Sequence, residues 1–106
     1  MEPIRPIHPR IQRRRDLAAS LHMPPELGAK FTTSERAVLK IISGEVVRHG
    51  ACTLTKDAIA DLSSVSFAVV KTALRTAKAE GLIAVERTGR RNTITLSAKW
   101  KAWLDR

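Results

Sequence analysis

The chain has 106 residues, enough for one small domain, and its 19 lysines and arginines against 10 aspartates and glutamates give a net charge of +9. Aromatic residues make up 4% and tyrosine is absent, which disfavours the single-stranded nucleic-acid binders, because these usually stack bases on aromatic side chains. A charge this positive indicates a polyanionic partner, most simply a nucleic acid, with a membrane surface as the other option.

Other features of the composition indicate where the protein works. The only cysteine, Cys52, excludes an internal disulfide and fits a reducing compartment. No stretch approaches the roughly 18 apolar residues of a membrane-spanning helix. Prolines near the start occupy the place of the apolar run that a signal peptide needs. We therefore expect a cytoplasmic, nucleoid-associated protein without a membrane partner.

The first 31 residues are rich in proline and arginine. Prolines recur at every third position from Pro3 to Pro9, the period of a polyproline II helix, and Pro24-Pro25 prevents a helix from continuing through that point. The expected order is a mobile arm (1–10), a possible short helix (11–22) and a linker (23–31). A plain disordered tail is the alternative, and the prolines could also mark a peptide ligand for a partner protein.

Helices are predicted from Thr32 onward. Thr32 and Glu35 have the spacing of a capping box before a helix at 33–48, which Gly50 is expected to close in a left-handed conformation. Thr55 and Ser66 are suitable N-caps for further helices at 56–62 and 67–80. Apolar residues at helical spacing are expected to face the core; they are Val38, Leu39, Ile42, Val46, Ile59, Leu62, Val70, Leu74 and Ala77.

A hairpin and a last helix complete the predicted order. Alternating residues predict strands at 82–87 and 93–96 with a turn at 88–92, and a helix is expected at 98–105. Its apolar face contains Trp100, Trp103 and Leu104, which would pack on helix 33–48 or cross to a second subunit.

Two short helices joined by a tight turn and followed by a hairpin define a winged helix-turn-helix. The segments LTKDAIADL (54–62), VS (65–66) and EGLI (80–83) resemble that DNA-binding family. The resemblance extends over about 32–97 and is strongest to small bacterial, phage and plasmid regulators and to replication initiators. It implies a mainly α fold with a small β-hairpin wing (α+β), a homodimer and a role in transcription regulation. The sequence departs from the family pattern after Ser66, where Phe67, Ala68 and Val69 occupy usually polar positions.

The distribution of charge supports the same interpretation. Residues 67–101 contain eight basic and two acidic residues, whereas residues 31–66 contain four of each sign. The excess therefore lies on the third predicted helix and the wing, the two elements that would touch DNA. A helix fits the major groove, where Arg and Lys read guanine and apolar groups contact the thymine methyl.

The candidate DNA-binding residues form three groups. On the third helix they are Ser66, Phe67, Ala68, Lys71, Thr72 and Arg75; on the wing they are Arg87, Arg90, Arg91 and Asn92; in the arm they are Arg10, Arg13, Arg14 and Arg15. The apolar members of the helix group would contact thymine methyl groups, although Phe67 could instead lie in the core or at a dimer contact. The wing would contact phosphates or a narrow minor groove, or serve only as a solubilising loop. The arm would enter the minor groove or tether phosphates.

Catalysis has little support in the sequence. His49 and Cys52 have the spacing of a metal pair, but no second pair completes a four-ligand site. No Gly-rich phosphate loop or nucleophile elbow is present. We expect no catalytic residue, metal, cofactor or small-molecule ligand. The alternatives to a transcription regulator are a plasmid or phage replication or recombination accessory protein and a winged-helix module that binds a protein through helix 67–80.

Overall fold

The computed structural model of the protein describes residues 8–89 and 91–104. In chain order these ranges contain α1 (Pro9–Ala19), α2 (Pro25–Gly28), α3 (Thr33–His49), α4 (Lys56–Ser63), α5 (Phe67–Ala79), β1 (Ile83–Thr88), β2 (Arg91–Leu96) and α6 (Ala98–Leu104). The central helix is α3, which packs against α1, α4, α5 and β2.

Local signals in the sequence determine where the three middle helices begin. Thr32 Oγ1 accepts the backbone N–H of Glu35 at 3.2 Å, and Glu35 Oε1 accepts the N–H of Thr32 at 2.9 Å. This reciprocal pair confirms the predicted capping box. Thr55 and Ser66 cap α4 and α5, and the hydroxyl of each accepts the backbone N–H of the residue three positions ahead. Gly50 ends α3 with φ at 84°, a conformation that glycine adopts without steric cost.

The turn between α4 and α5 is short and tightly bonded. Ser64 has φ at 58° and ψ at 41°, the left-handed conformation, and Val65 buries its side chain while its N–H donates to the carbonyl of Ala60. Two helices joined in this way form a helix-turn-helix.

The hairpin reaches further toward its tip than the sequence predicted. The antiparallel register runs from Ile83↔Leu96 to Thr88↔Arg91, whereas the strands were expected to stop at 87 and to resume at 93. Both strands are longer because their added residues pair through the backbone. The alternation of apolar and polar side chains, from which the strands were predicted, does not indicate backbone pairing. Cys52 adds an isolated bridge to Ile94, with N···O distances of 2.9 Å in both directions, so the β-prone segment before α4 anchors the base of the wing.

The predicted core positions are buried with one exception. Leu62 remains 39% exposed, so its inward assignment was wrong. On this eight-residue helix the buried positions are Ile59, Ala60 and Ser63. The Ser63 hydroxyl donates to the carbonyl of Ile59, and a buried polar side chain satisfied in this way is tolerated in a core.

The segment expected as a linker is packed into the domain. Met23, Leu27 and Phe31 are buried in the same core as α3. Three bonds hold the segment: Arg36 Nε to the carbonyl of Gly28 at 3.0 Å, Lys30 Nζ to Glu80 Oε2 at 2.8 Å, and Trp100 Nε1 to the carbonyl of His22 at 2.8 Å. These three apolar residues recur at every fourth position, but Pro24-Pro25 and Gly28 interrupt the run, and these helix breakers are why the sequence indicated a linker.

The predicted short helix near the N-terminus exists, but it begins earlier, at Pro9, and ends at Ala19. His8 caps it by accepting the N–H of Arg10 at 3.2 Å, and proline is well suited to the first helical position. The helix packs along α3 and also touches α4. Of the predicted mobile arm, residues 1–7 lie outside the described residues, and residues 8–10 belong to the start of α1.

The whole arrangement is a winged helix-turn-helix in which α4 and α5 form the helix-turn-helix and β1 and β2 form the wing. This confirms the predicted fold class. In addition, α1 packs along α3, and Leu27 of α2 and Trp100 of α6 enter the same core. In the described ranges, no helix has the length and the apolar character needed to cross a membrane.

Candidate nucleic-acid interface

A groove separates the exposed side of α5 from the wing. It has a volume of about 470 Å³ and an apolar floor that includes Leu54, Leu74, Val85 and Ile94. A second hollow of about 490 Å³ continues it past the start of α5 toward the segment before α4. We call the two together the α5–wing groove.

The walls of the α5–wing groove are strongly basic. Among the described residues that line it, six are basic and Asp57 is the acidic one; the basic ones are Lys56, Lys71, Arg75, Lys78, Arg87 and Arg91. A concave surface lined by one sign of charge concentrates its potential and attracts ions of the opposite sign.

The start of α5 presents an aromatic side chain next to a cation. Phe67 is 44% exposed, so it does not lie in the core, which was one of the alternatives for this residue. Lys71 Nζ lies 5.9 Å from the centre of the Phe67 ring, within the range of a cation–π contact. Farther along the same helix, Arg75 is exposed and lines the groove.

Ala68 and Thr72 are exposed on α5 but do not line the groove. The Thr72 hydroxyl donates to the carbonyl of Ala68 at 3.1 Å, one turn back along the helix. Their side chains therefore lie on the outer surface of α5, beyond the edge of the groove.

On the wing, the residues expected at the tip lie on paired strands. Arg87 pairs with Asn92 in the antiparallel register, so both side chains are on the same face of the hairpin. Two residues along each strand, Val85 and Ile94 share that face by the alternation of strand side chains. Both are half-buried or buried in the groove floor. Gly89 has φ at 64°, a conformation that glycine adopts without steric cost. Arg90 lies outside the described residues.

Two lysines that the sequence did not single out also line the groove. Lys56 belongs to the first turn of α4, and Lys78 belongs to the last turn of α5. The local charge excess already included Lys78, but Lys56 lies in a segment whose charges balance. Only the folded structure brings Lys56 beside Arg87 and Asn92.

The four arginines of α1 separate into two pairs. Arg13 Nε donates to the carbonyl of Leu62 at 2.8 Å, and half-buried Arg14 reaches Ser34 Oγ at 3.5 Å. Arg10 and Arg15 are exposed, and their side chains make no hydrogen bond or ion pair with the residues that the structure describes. Arg10 lines a shallow hollow with Ser66 beside the turn of the helix-turn-helix.

Metal and thiol chemistry find no support in the described part of the chain. There, no group of three or more His, Cys, Asp or Glu side chains could hold a metal ion. Burial raises the pKa of the Cys52 thiol, since the thiolate would lose its hydration. Cys52 is thus a small buried side chain.

The fold recurs in solved structures of a DNA-binding protein and of two transcriptional regulators. The Bordetella bronchiseptica protein BpsR, whose DNA binding is regulated by 6-hydroxynicotinic acid, is 21% identical with a TM-score of 0.55, covering 91% of this chain and 67% of its own. A probable transcriptional regulator from Pseudomonas aeruginosa is 23% identical with a TM-score of 0.53 over 91% of this chain and 67% of its own. A MarR family transcriptional regulator from Silicibacter pomeroyi DSS is 18% identical with a TM-score of 0.53, over 90% and 60%.

No family model matches the chain, and no curated protein matches it. The chain spans about two thirds of the length of the first two structures and 60% of the third. The likeness shows the winged helix-turn-helix fold.

Proposed function

We propose that this protein binds double-stranded DNA as a transcription regulator, without catalytic activity, in the cytoplasm of a bacterium. The observation that carries the proposal is the α5–wing groove, where six basic side chains surround an apolar floor between the two elements that a winged helix presents to a duplex. The three structural neighbours, described as regulators or by their DNA binding, support it.

The proposal assigns base reading to α5. A helix fits the major groove, and Lys71 and Arg75 are four residues apart on its exposed side, so they reach neighbouring base pairs. Their hydrogen-bond donors suit the acceptors of guanine. Phe67 and Ala68 are exposed apolar groups at the N-terminal end of the helix, suited to the methyl group of thymine. Thr72, on the outer side, is assigned to a backbone or base-edge hydrogen bond.

The wing and the arm are assigned to the DNA backbone. Arg87, Arg91 and Asn92 line the groove opposite α5, where they would contact phosphates or enter a narrow minor groove; Arg90 is assigned to the same role from the sequence. On α1, which contains the arginines assigned from the sequence to an arm, Arg10 lies beside Ser66 at the start of α5, and it is assigned to a phosphate together with Arg15.

The dependence of affinity on salt tests the wing. Each contact between a basic side chain and a phosphate releases a counterion, so Arg87→Ala and Arg91→Ala should each weaken binding to any duplex and reduce the slope of log K against log salt by about one unit. Fluorescence anisotropy with a labelled random-sequence duplex over a series of salt concentrations measures both quantities. Lys99→Ala is the control, because it removes one positive charge at an exposed position of α6 that does not line the α5–wing groove.

Two results would count against the proposal. An unchanged slope in the Arg87→Ala/Arg91→Ala double variant would remove the wing from the interface. Wild-type protein that binds no duplex at physiological salt would overturn DNA binding itself and favour a protein-interaction module, for which exposed Phe67 is the best evidence. Genome-wide mapping of binding sites separates a single operator from the repeated sites expected of a replication accessory protein.

We further propose a homodimer that forms through the side of the molecule away from the wing. Leu17 of α1, Leu104 of α6 and Val47 of α3 line one hollow of about 380 Å³, and Val47 is 71% exposed. The hollow also has basic lining from Lys40 and Arg48, but the apolar side chains that α1, α3 and α6 contribute to it are suited to a partner subunit.

A charge on this surface should separate the subunits. Wild-type protein should elute as a dimer in size-exclusion chromatography with light scattering, and Val47→Glu should elute as a monomer with an unchanged far-ultraviolet circular dichroism spectrum. Leu62→Glu is the control, since Leu62 is an exposed apolar side chain outside this hollow. A monomeric wild type at high protein concentration would exclude the dimer.

A further inference from the structure

We propose that Arg13 is a positioning residue that fixes the turn of the helix-turn-helix, and that it does not bind a phosphate. The inference rests on the proposed DNA binding and refines it, because it divides the arginines of α1 into those that hold the fold and those that face the duplex.

The contact that carries the inference joins distant parts of the chain. Arg13 Nε donates to the carbonyl oxygen of Leu62 at 2.8 Å, across 49 residues of sequence. Leu62 lies in the last turn of α4, where carbonyl groups have no partner within the helix. The guanidinium supplies that partner, and a cation at the C-terminal end of a helix also interacts favourably with the helix dipole.

The position of this carbonyl makes the contact relevant to DNA. Two residues after Leu62, Ser64 holds the left-handed conformation that turns the chain toward α5, and Ser66 then caps α5. A non-glycine residue with positive φ is disfavoured and needs support from its surroundings. Arg13 therefore stabilises the last turn of α4, next to the turn that sets the orientation of α5.

The neighbouring arginines differ from Arg13 in their surroundings. Arg14 bonds to Ser34 next to the start of α3, so Arg13 and Arg14 together attach α1 to both α3 and α4. Arg15 is exposed on the same helix and makes no side-chain hydrogen bond with any described residue. Arg13 and Arg15 carry the same charge on the same helix, but of these two residues Arg13 makes the contact to α4. Variants of the two therefore separate the effect of the contact from the effect of the charge.

The test compares Arg13→Ala, Arg13→Lys and Arg15→Ala in the full chain, using a random-sequence duplex at temperatures where circular dichroism shows every variant folded. Arg13→Ala should weaken binding by about fivefold, because a loosened turn leaves α5 in the binding orientation in a smaller fraction of molecules, with the salt slope unchanged. Arg13→Lys should restore part of the affinity, because an ammonium can also donate to the carbonyl. Arg15→Ala should lower the salt slope by about one unit.

A second measurement does not depend on DNA. Amide hydrogen exchange at Ser64, Val65 and Ser66 should quicken in Arg13→Ala and remain unchanged in Arg15→Ala. If the wild type bound no duplex but this exchange pattern appeared, the proposed function would fail while the bracing role stood. A lowered salt slope in Arg13→Ala with unchanged exchange would show a phosphate contact and overturn the inference. Quickened exchange without any loss of affinity would also overturn it, leaving Arg13 with a role in stability alone.

Discussion

Replacing Trp100 by alanine is expected to lower the free energy of unfolding by about 3–5 kcal/mol, the range for removal of a large buried aromatic side chain. Trp100 is 0% exposed and is the largest of the fully buried side chains in the described part of the chain. Its Nε1 also donates to the carbonyl of His22 at 2.8 Å. Urea unfolding followed by circular dichroism measures the change.

Trp100→Phe separates packing from hydrogen bonding. Phenylalanine keeps much of the buried volume but leaves the His22 carbonyl without its donor, which should cost about 1–3 kcal/mol. A loss below about 1 kcal/mol for the alanine variant, far less than core truncations cost, would show that α6 contributes little to the core.

Replacing Arg75 by alanine should have the largest effect on sequence discrimination. Arg75 is exposed and lines the α5–wing groove midway along α5, where a guanidinium can bond to both acceptors of one guanine. Loss of such a bidentate contact costs about 1–3 kcal/mol on the preferred site and much less on random DNA. Anisotropy with a duplex selected from a random library, compared with a scrambled duplex, measures the difference.

The matched variant is Lys78→Ala, one turn nearer the end of α5 and in the same groove. A contact to phosphate should weaken binding to both duplexes equally, so Lys78→Ala should leave the ratio of the two affinities unchanged. If Arg75→Ala also reduced both affinities in parallel, α5 would not be the element that reads bases.

The helix-turn-helix could be predicted from the sequence because its determinants are local. Thr32, Thr55 and Ser66 each cap a helix by accepting the backbone N–H of the residue three positions ahead. Gly50 and Gly81 have positive φ. The wing was located by the alternation of its side chains, but its length was underestimated, since pairing between Thr88 and Arg91 depends on the partner strand.

The N-terminal part could not be predicted in the same way, because its contacts are made with residues far along the chain. Leu27 and Phe31 are buried in one core together with residues of α3 and α5, which follow them in the chain. The role of Arg13 could not be predicted either. The first 15 residues contain five arginines, and nothing in the sequence shows that Arg13 contacts α4 in the folded protein. Lys56 was missed in the groove for the same reason, whereas Lys78 already lay within the charge excess of the third predicted helix.

The bond between Trp100 and His22 has a consequence for the motions of the molecule. The bond joins two positions 78 residues apart in the sequence. All the helices and strands from α2 to β2 lie between these two positions. A segment whose two ends are joined through a buried side chain frays less readily than one with a free end, so we expect α5 to open mainly in the rare events that open the whole domain. The element assigned to reading bases would then share the global stability of the protein, and its orientation would be fixed before any duplex arrives.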